Sequence, residues 1–387
     1  MRLWKRASGA LKDQNSIWQA NLSRRTALRN PDIEKAVIRA TSHHDSSFDR
    51  RSVDRVCEWL RLSPFNLKPI LWSISNRMEN TRSWVVALKG LHLMQTLTNC
   101  RTPAVKKIGR LPFDLSNFSD AHGRAAKTWP LNAFVRAYYA FLDQKSTVVF
   151  QHAAATAAEK GAPPPPPSAE AAELLIVQEL VLLKKLQGLV DLLMQIRPQG
   201  RAAFAPLVIH VMDGIIIEIY DLYSRICRGI AVVLMNIYSA GKAEAAMALN
   251  VVKKASQQGE DLSYYFEFCQ EIGVVNAADF PVIDRIPEEG IRELEQIISG
   301  FSDGPPAKES KLEDEEEEKS AIVVVDEGGK GINNNNKYRD DLKTIITDNW
   351  EKFDEDFGAK NPFAETLLID YVESSKIQEP PDLITFL

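Results

Sequence analysis

The sequence predicts an all-α protein in which a superhelical solenoid of short helices is followed by long antiparallel helices and then by a disordered acidic tail. Apolar residues recur at helical spacing through most of the first 300 residues. Several later apolar segments are also long, and long antiparallel helices form a bundle or solenoid rather than an α/β core. These segments are Glu170–Ile196, Phe204–Ala240 and Ala243–Gly259, the last running on to Leu262–Ile272.

The predicted tail begins after Gly300, where the composition changes. Lys311–Lys319 is mostly acidic, and Gly328–Asn336 consists mainly of glycine and asparagine. Such sequence carries too few apolar residues to build a core. We therefore expect residues 301–387 to be disordered.

The bulk composition is that of a soluble protein without an enzymatic motif. Of the 387 residues, 45% are hydrophobic and 26% are charged, and no run reaches the ~18 apolar residues of a membrane span. The sequence has no P-loop, GxSxG or HExxH motif, so we expect no enzyme, no catalytic residue, no metal and no cofactor. The four cysteines are far apart and form no CxxC motif, which indicates reduced thiols in a cytosolic protein. They are Cys57, Cys100, Cys227 and Cys269.

Charge is distributed unevenly around the net value of −5. Residues 1–110 hold 21 Lys and Arg against 8 Asp and Glu, whereas residues 301–387 hold 10 against 22. A basic head with an acidic tail suggests that the head meets an anionic surface, which could be lipid or nucleic acid. A solvated basic face without a ligand is the alternative. Nucleic acid is disfavoured because interleaved aromatic residues and any RNA or DNA module motif are missing.

Residues 1–22 are predicted to form an amphipathic helix. Aromatic and apolar residues with basic neighbours suit a membrane interface. A helix docked on the protein's own core is the main alternative, and a mitochondrial presequence is a third. The stripe comprises Trp4, Ala7, Leu11, Trp18 and Leu22, and the basic neighbours are Arg2, Lys5, Arg6 and Lys12.

The stretch Ile33–Val56 contains a candidate anion site. A helix with Asp32 as N-cap is expected to end near the polar run Thr41–Ser47, and a second helix to begin near Asp49. Cationic side chains therefore border one short loop next to a helix N-terminus, where anions bind favourably. The candidate ligands are Arg39, His43, Arg50 and Arg51.

Two further helices, Ile70–Met78 and Trp84–Leu97, follow, with Thr81 as the expected N-cap of the second. Within the second helix we interpret Lys89 as structural or solvated and His92 as a histidine satisfied by a protein partner. A later apolar segment around Phe134–Asp143 contains Arg136, which we expect in a structural ion pair.

Residues 146–170 are predicted to be a linker between the short and the long helices. Its second part contains the uninterrupted run Pro163–Pro167, which favours polyproline II and cannot continue a helix. A stiff spacer is the favoured interpretation, because an SH3 ligand would need a flanking Arg in register.

Several ordered segments resemble the ANTH domain family of monomeric clathrin assembly proteins. Arg39-Ala40-Thr41-Ser42-His43 is similar to the Lys-Ala-Thr-x-His signature of that family. The resemblance covers roughly residues 1–300, with an ENTH-like part over about 23–145 and a long-helix part over 171–300. Further matching segments are Gly9–Asp13, Trp84–Leu91, Leu115–Asp120, Phe134–Asp143 and Arg197–Gly200.

The resemblance implies an adaptor that recruits clathrin and other adaptors to membranes rich in phosphatidylinositol 4,5-bisphosphate. It places the protein on the cytoplasmic face of the plasma membrane, in clathrin-coated pits and vesicles, or at the Golgi, and it includes VAMP-type R-SNAREs as cargo. Three positions depart from the family pattern. Phe48 stands where proline is common, Asp49 where animal members are basic, and Ser52 where a histidine usually ends the motif.

The tail carries short peptides that resemble adaptor-binding motifs. Asn361-Pro362-Phe363 is the tripeptide that EH domains bind, and Trp350 with Phe353 resembles the Trp-x-x-Phe class bound by adaptor appendage domains. Leu383–Leu387, which includes Phe386, resembles a degenerate clathrin box. Because an aromatic residue in a solvated segment has no core to enter, we interpret this cluster as a set of partner-binding peptides.

Overall fold

The described residues form helices joined by short connections. The structure, a computed structural model, describes residues 2–100, 102–121, 125–161, 169–237, 241–279 and 288–300, and within these ranges it contains no strand. This confirms the all-α prediction. The first helices are α1 Arg2–Leu22, α2 Pro31–Ala40, α3 Arg50–Leu62, α4 Leu67–Glu79 and α5 Trp84–Asn99. The later ones are α6 Ala125–Gly161, α7 Ala169–Met194, α8 Pro206–Met235, α9 Lys242–Glu271, α10 Asn276–Asp279 and α11 Glu288–Gly300.

Helix α2 is central to the short-helix part, because it contacts α1, α3, α4 and α5. Its inward residues, Ile33, Val37 and Ala40, are almost completely buried. The predicted Asp32 cap is wrong by two residues. Asn30 is the N-cap, and its side chain accepts a hydrogen bond from the Asp32 N–H while Pro31 occupies the first turn.

Helix α3 buries the stripe that its periodicity predicts, Val53, Val56, Cys57 and Leu60. Helix α5 likewise buries Leu88, Leu91 and Leu97.

The sequence predicts Thr81 as the N-cap of α5, but a residue far away in the chain caps this helix instead. Thr81 accepts a hydrogen bond from the Ser83 N–H, and the Asp120 carboxylate accepts one from the Trp84 N–H at 2.9 Å. Asp120 lies 36 residues further along the chain. A cap of this kind depends on tertiary packing and leaves no local sequence signal.

Helix α6 is longer than the sequence predicts. It spans 37 residues and continues to Gly161. Residues 146–161, assigned above to the linker, are therefore helical. The physical reason is the alanine content of this segment, since alanine is the best helix former, together with burial of Ser146 and Val148. The run Pro163–Pro167 lies outside the described residues. Arg136, expected in an ion pair, is half-buried in α6 and donates to the carbonyl of Phe118.

The long helices α7, α8 and α9 run alternately up, down and up, and each contacts the other two. Gln187 of α7 donates to the Val251 carbonyl of α9, and Tyr223 of α8 donates to the Ala255 carbonyl of α9. Helix α8 ends at Met235 rather than near Ala240 as predicted. None of the described helices is both long and apolar enough to cross a bilayer.

A buried polar cluster joins α5, α6 and α8. The Lys145 ammonium lies 2.8 Å from the Glu218 carboxylate and also donates to Asn99 Oδ1 at 2.8 Å. Gln95 donates to Glu218 and accepts from the Tyr138 hydroxyl. Burying one charge without a partner costs several kcal/mol. The five hydrogen-bonding side chains of this cluster must therefore keep their positions for the three helices to pack together.

We expect Glu218→Gln to destabilise the protein by roughly 3 to 5 kcal/mol, because it leaves the Lys145 charge buried without a counter-ion. Urea unfolding followed by circular dichroism measures this change. The matched control is Glu58→Gln, which removes the partner of Arg55 in an exposed pair and should cost less than about 1 kcal/mol. Equal effects of the two substitutions would show that the buried pair does not hold the junction together.

Candidate functional site

The basic side chains predicted to bind an anion lie at one end of the α2–α3 pair. Arg39 is exposed one residue before the end of α2, and Arg50 and Arg51 are exposed in the first turn of α3. Residues 41–49 connect the two helices, as the polar sequence predicts. We call residues 39–51 the basic loop. Its three exposed guanidinium groups can each donate paired hydrogen bonds to a phosphate.

The N-terminus of α3 is already capped by a carboxylate of the basic loop. Asp49 is the N-cap and accepts hydrogen bonds from the Ser52 N–H at 3.2 Å and the Ser52 hydroxyl at 2.7 Å. This pairing gives Asp49 and Ser52, two of the departures from the family pattern, a structural role. It also means that an anion at this site would be held by side chains rather than by the helix N-terminus.

His43 connects the basic loop to α1. Its N–H donates to one oxygen of Asp13 at 2.8 Å, and its ring Nδ1 lies 2.7 Å from the other. Helix α1 approaches so closely that a Cβ at Gly9 would lie 2.6 Å from His43 Cβ. Because Nδ1 is engaged, the imidazole can offer a phosphate only its Nε2.

Arg77 of α4 binds both α1 and the basic loop. Its guanidinium donates to Asp13 at 2.5 Å and to the carbonyl of Thr41 at 3.1 Å. Burial opposes ionisation of Asp13, but hydrogen bonds from His43 and Arg77 outweigh it and lower the pKa of this carboxyl group below its usual 3.8. Sequence reasoning missed both Asp13 and Arg77, because nothing local marks them as partners of the loop.

Lys89 of α5 supports the loop from the core. It is fully buried, and its ammonium donates to the Ser42 hydroxyl at 3.2 Å. Burial lowers the pKa of Lys89 to about 8, although Asp13, Asp49 and Asp45 act against this shift. Lys89 is therefore a structural residue, one of the two roles predicted for it.

Phe48 fixes the far end of the loop against α5 and α8. Its ring centroid lies 4.3 Å from that of His92 and 4.8 Å from that of His210. The Nδ1 atom of His92 is buried without a hydrogen-bond partner among the described residues, so the expected protein partner is not found at this nitrogen. Burial, together with the nearby His210, lowers the pKa of His92 to about 4, so its ring is neutral at physiological pH.

Helix α1 docks through one face and exposes the opposite one. Gly9 and Ala20 are buried and Asp13 is half-buried on the docking face. With about 3.6 residues per turn, Leu11 and Trp18 lie on the opposite side, and these side chains are 71% and 61% exposed. Four members of the predicted apolar stripe are exposed, namely Ala7, Leu11, Trp18 and Leu22.

The remaining predicted site residues lie partly outside the described residues. This applies to the side chains of Trp4, Lys5 and Arg6, although their backbone lies in α1, and Lys12 is exposed in that helix. The predicted partner-binding peptides all lie outside the described residues; they involve Trp350, Phe353, Asn361, Pro362, Phe363, Leu383 and Phe386. Within the part of the chain that is described, no group of His, Cys, Asp and Glu side chains is arranged to hold a metal ion.

Comparison with known proteins identifies relatives over most of the chain. The ANTH domain model matches residues 32–300. Three relatives from Arabidopsis thaliana each bear the name "Putative clathrin assembly protein". One is 46% identical over 358 residues, covering 92% of this chain and 88% of the relative. The second is 41% identical over 360 residues, with coverage of 92% and 89%, and the third is 38% identical over 300 residues, with coverage of 77% and 82%.

We expect Asp13→Asn to loosen α1, because an amide cannot accept all the donors that His43 and Arg77 direct at this position. The loss should be about 2 kcal/mol at pH 7, as for hydrogen bonds to a charged group, with faster hydrogen exchange in α1 and the basic loop. The native pKa is lowered, so the contribution of Asp13 is present above pH 3.8 and disappears as pH falls through the native value. The difference in the free energy of unfolding between Asp13→Asn and the wild type should therefore shrink at low pH.

Asp54→Asn, on the exposed side of α3, is the control for this substitution. An equal loss of stability in both variants, or an unchanged exchange rate in α1 of Asp13→Asn, would contradict the assigned role of Asp13.

Proposed function

The chain belongs to the ANTH domain family, and from this premise we propose that it is a clathrin assembly adaptor that binds phosphoinositide-containing membranes. The observation that carries the proposal is the basic loop fixed to α1, whose outward face is apolar. One unit thus combines cationic side chains for phosphate with an apolar stripe for the membrane interface. The relatives named for clathrin assembly support the clathrin part of the proposal.

The headgroup would be held by the exposed guanidinium groups of Arg39, Arg50 and Arg51, with His43 Nε2 at the edge of the site. Each basic side chain near an anionic leaflet contributes about 1 kcal/mol of attraction. Asp45 and Asp49 lie in the same loop and reduce the local positive charge. We therefore propose phosphatidylinositol 4,5-bisphosphate as the ligand because it carries several phosphates in one headgroup.

Helix α1 would enter the interface with Leu11, Trp18 and Leu22, extended toward the N-terminus by Trp4 and flanked by Lys5, Arg6 and Lys12. A tryptophan and leucines that are exposed in the free protein lose unfavourable contact with water when they enter the acyl boundary. The docked face of α1 explains how insertion can occur without unfolding the protein. The alternative role of α1, packing against the protein's own core, then belongs to the docked face with Gly9, Asp13 and Ala20.

The tail would recruit the coat. Residues 301–387 carry 22 acidic against 10 basic side chains, so mutual repulsion favours extended peptides. We propose that Trp350 and Phe353 bind adaptor appendage domains, that Asn361-Pro362-Phe363 binds EH-domain proteins, and that Leu383–Leu387 binds clathrin. Several weak motifs on one chain gain affinity through effective concentration, which suits an assembly that must later come apart.

The proposed place of action is the cytoplasmic face of the plasma membrane, in clathrin-coated pits and vesicles, with Golgi trafficking as the second location. VAMP-type R-SNAREs are the proposed cargo, although no groove for them is assigned to particular residues. We propose no enzymatic activity and no cofactor for this protein.

We expect Arg39→Ala with Arg51→Ala to reduce sedimentation with liposomes containing phosphatidylinositol 4,5-bisphosphate by roughly tenfold, because two phosphate-directed charges are lost. The control is Arg225→Ala with Arg228→Ala, two exposed arginines of α8 whose loss changes the net charge equally. Equal reduction in both variants would mean nonspecific attraction, and no reduction in either would place the lipid site elsewhere. Competition with an oligonucleotide tests the alternative partner, since displacement of liposomes would favour nucleic acid.

Leu11→Ser with Trp18→Ser, measured in the same liposome assay, separates insertion from headgroup contact. We expect weaker sedimentation with an unchanged melting temperature, because both side chains are mostly exposed in the free protein. A clear fall in the melting temperature would show instead that this face packs against the protein.

For recruitment, we expect the triple variant Trp350→Ala, Phe363→Ala and Phe386→Ala of the full chain to lose retention of clathrin and adaptors on liposomes. Each single substitution should give only partial loss, because the motifs act together. Liposome binding itself should not change. Full recruitment by the triple variant would contradict the adaptor proposal and leave a membrane-bound helical scaffold.

A further inference from the structure

The three arginines of the basic loop have no acidic partner in the part of the chain that the structure describes. Arg39, Arg50 and Arg51 are exposed, and none of them forms an ion pair with a described residue. By contrast, Arg55, one turn further along α3, lies 3.7 Å from the carboxylate of Glu58. The basic loop therefore presents positive charge that no neighbouring side chain pairs with.

The same chain carries a segment of complementary charge. Residues 313–318, which we call the acidic run, are six consecutive acids with the sequence Glu-Asp-Glu-Glu-Glu-Glu. The longest other series of consecutive acids is Asp354–Asp356, with three residues, so negative charge is densest in the acidic run. Each guanidinium can bind a carboxylate through paired hydrogen bonds. The acidic run lies outside the described residues, and its charge follows from the sequence alone.

A continuous series of contacts leads from the last described helix to the basic loop. Helix α11 ends at Gly300 and packs on α9, where the ammonium of Lys253 lies 2.6 Å from the carboxylate of Glu295. Helix α9 packs on α8. Near its N-terminus α8 contacts the loop through His210, whose ring centroid lies 4.8 Å from that of Phe48.

The chain beyond Gly300 is long enough to cover this path. Along α8, the 13 residues between Tyr223, which bonds to α9, and His210 span about 20 Å. Three steps between packed elements add about 10 Å each, so the whole path is about 50 Å. The 18 residues from Gly300 to Glu318 extend to about 60 Å. The acidic run can therefore reach the basic loop without any movement of the helices.

Tethering makes a weak contact between the two segments effective. Ion pairs between exposed side chains contribute little individually. A tether of this length, however, gives the acidic run a local concentration in the millimolar range at the loop. A contact of millimolar affinity is then occupied for about half of the time or more.

We propose that the acidic run binds the basic loop of its own chain and shields Arg39, Arg50 and Arg51. Because carboxylates and phosphates bind the same guanidinium donors, the acidic run and an anionic ligand compete for the loop. The effect on membrane binding rests on the function proposed above, whereas the contact itself does not. A surface dense in phosphate displaces the acidic run more readily than a sparsely charged one, so the contact makes binding more selective.

Arginine modification tests the contact in the full chain without any lipid. Phenylglyoxal modifies accessible arginines, and mass spectrometry gives the rate at each position. We expect the three loop arginines to react at least about twofold faster in a variant without the acidic run's charge than in the wild type. Arg225 and Arg228, exposed on α8, should react at the same rate in both proteins. The substitutions of this acidic-run variant are Glu313→Gln, Asp314→Asn, Glu315→Gln, Glu316→Gln, Glu317→Gln and Glu318→Gln.

A charge-matched variant, in which six other acids of the tail are replaced by their amides, is the control. It should keep the wild-type rates at the loop, because the acidic run is intact. Its substitutions are Glu351→Gln, Asp354→Asn, Glu355→Gln, Asp356→Asn, Glu365→Gln and Asp370→Asn.

Two conditions separate the proposed contact from other causes of protection. Sodium chloride at about 0.5 M should remove the difference between the acidic-run variant and the wild type, because salt screens exposed charges. Dilution of the protein should leave the protection unchanged, because the contact is intramolecular. Equal rates in the acidic-run variant and the wild type would overturn the proposal. An equal gain in the charge-matched variant, or protection that falls on dilution, would do the same.

Sedimentation with liposomes containing phosphatidylinositol 4,5-bisphosphate then tests the competition. We expect the acidic-run variant to bind about twofold or more tightly than the wild type, and the charge-matched variant to bind like the wild type. Equal binding by all three proteins would overturn the competition. Absence of liposome binding by all three would instead contradict the membrane function, and the rates of arginine modification would still decide the contact.

Discussion

The Asp13 carboxylate is the contact on which the candidate site depends. A half-buried carboxylate loses part of its hydration and needs hydrogen-bond donors in exchange. Here the donors come from the His43 main chain and ring and from Arg77. These groups belong to the basic loop and to α4, so the carboxylate links both of them to α1. One charged group thus orients three segments, and Gly9 allows the close approach that the hydrogen bonds require. Because these contacts fix the backbone of the basic loop, they also position its exposed arginines.

The site separates its charges by depth. The inner layer contains Asp13, Arg77 and Lys89, which bind one another or polar groups of the loop. The outer layer contains Arg39, Arg50 and Arg51, whose side chains are exposed. Charges in the inner layer are compensated and define the conformation, whereas those in the outer layer remain available to a ligand. This division also accounts for Asp49, which faces the first turn of its own helix and stabilises the loop at some cost in local positive potential.

Features encoded locally could be predicted from the sequence, and features that depend on distant partners could not. Helical periodicity correctly predicted the all-α class and the buried stripe of α3, and the polar run after Ala40 correctly predicted the loop. The cap of α5 by Asp120 and the pairing of Asp13 with Arg77 arise from tertiary packing, so no short window contains them. The error over residues 146–161 is different in kind. Alanine-rich sequence is compatible with both a linker and a helix, and contacts with α7, such as Lys185 with Gln151, favour the helix.

The uninterrupted course of α6 has a mechanical consequence. After Pro130 the helix contains no proline or glycine before Gly161, and its 37 residues span about 55 Å at 1.5 Å per residue. It contacts α5 in the short-helix part and α7 in the long-helix part, so both parts are attached to a single rod. A flexible linker would act as a hinge and absorb force. A continuous helix instead transmits it, so a load applied to the long helices would be borne at the short-helix end rather than dissipated between them.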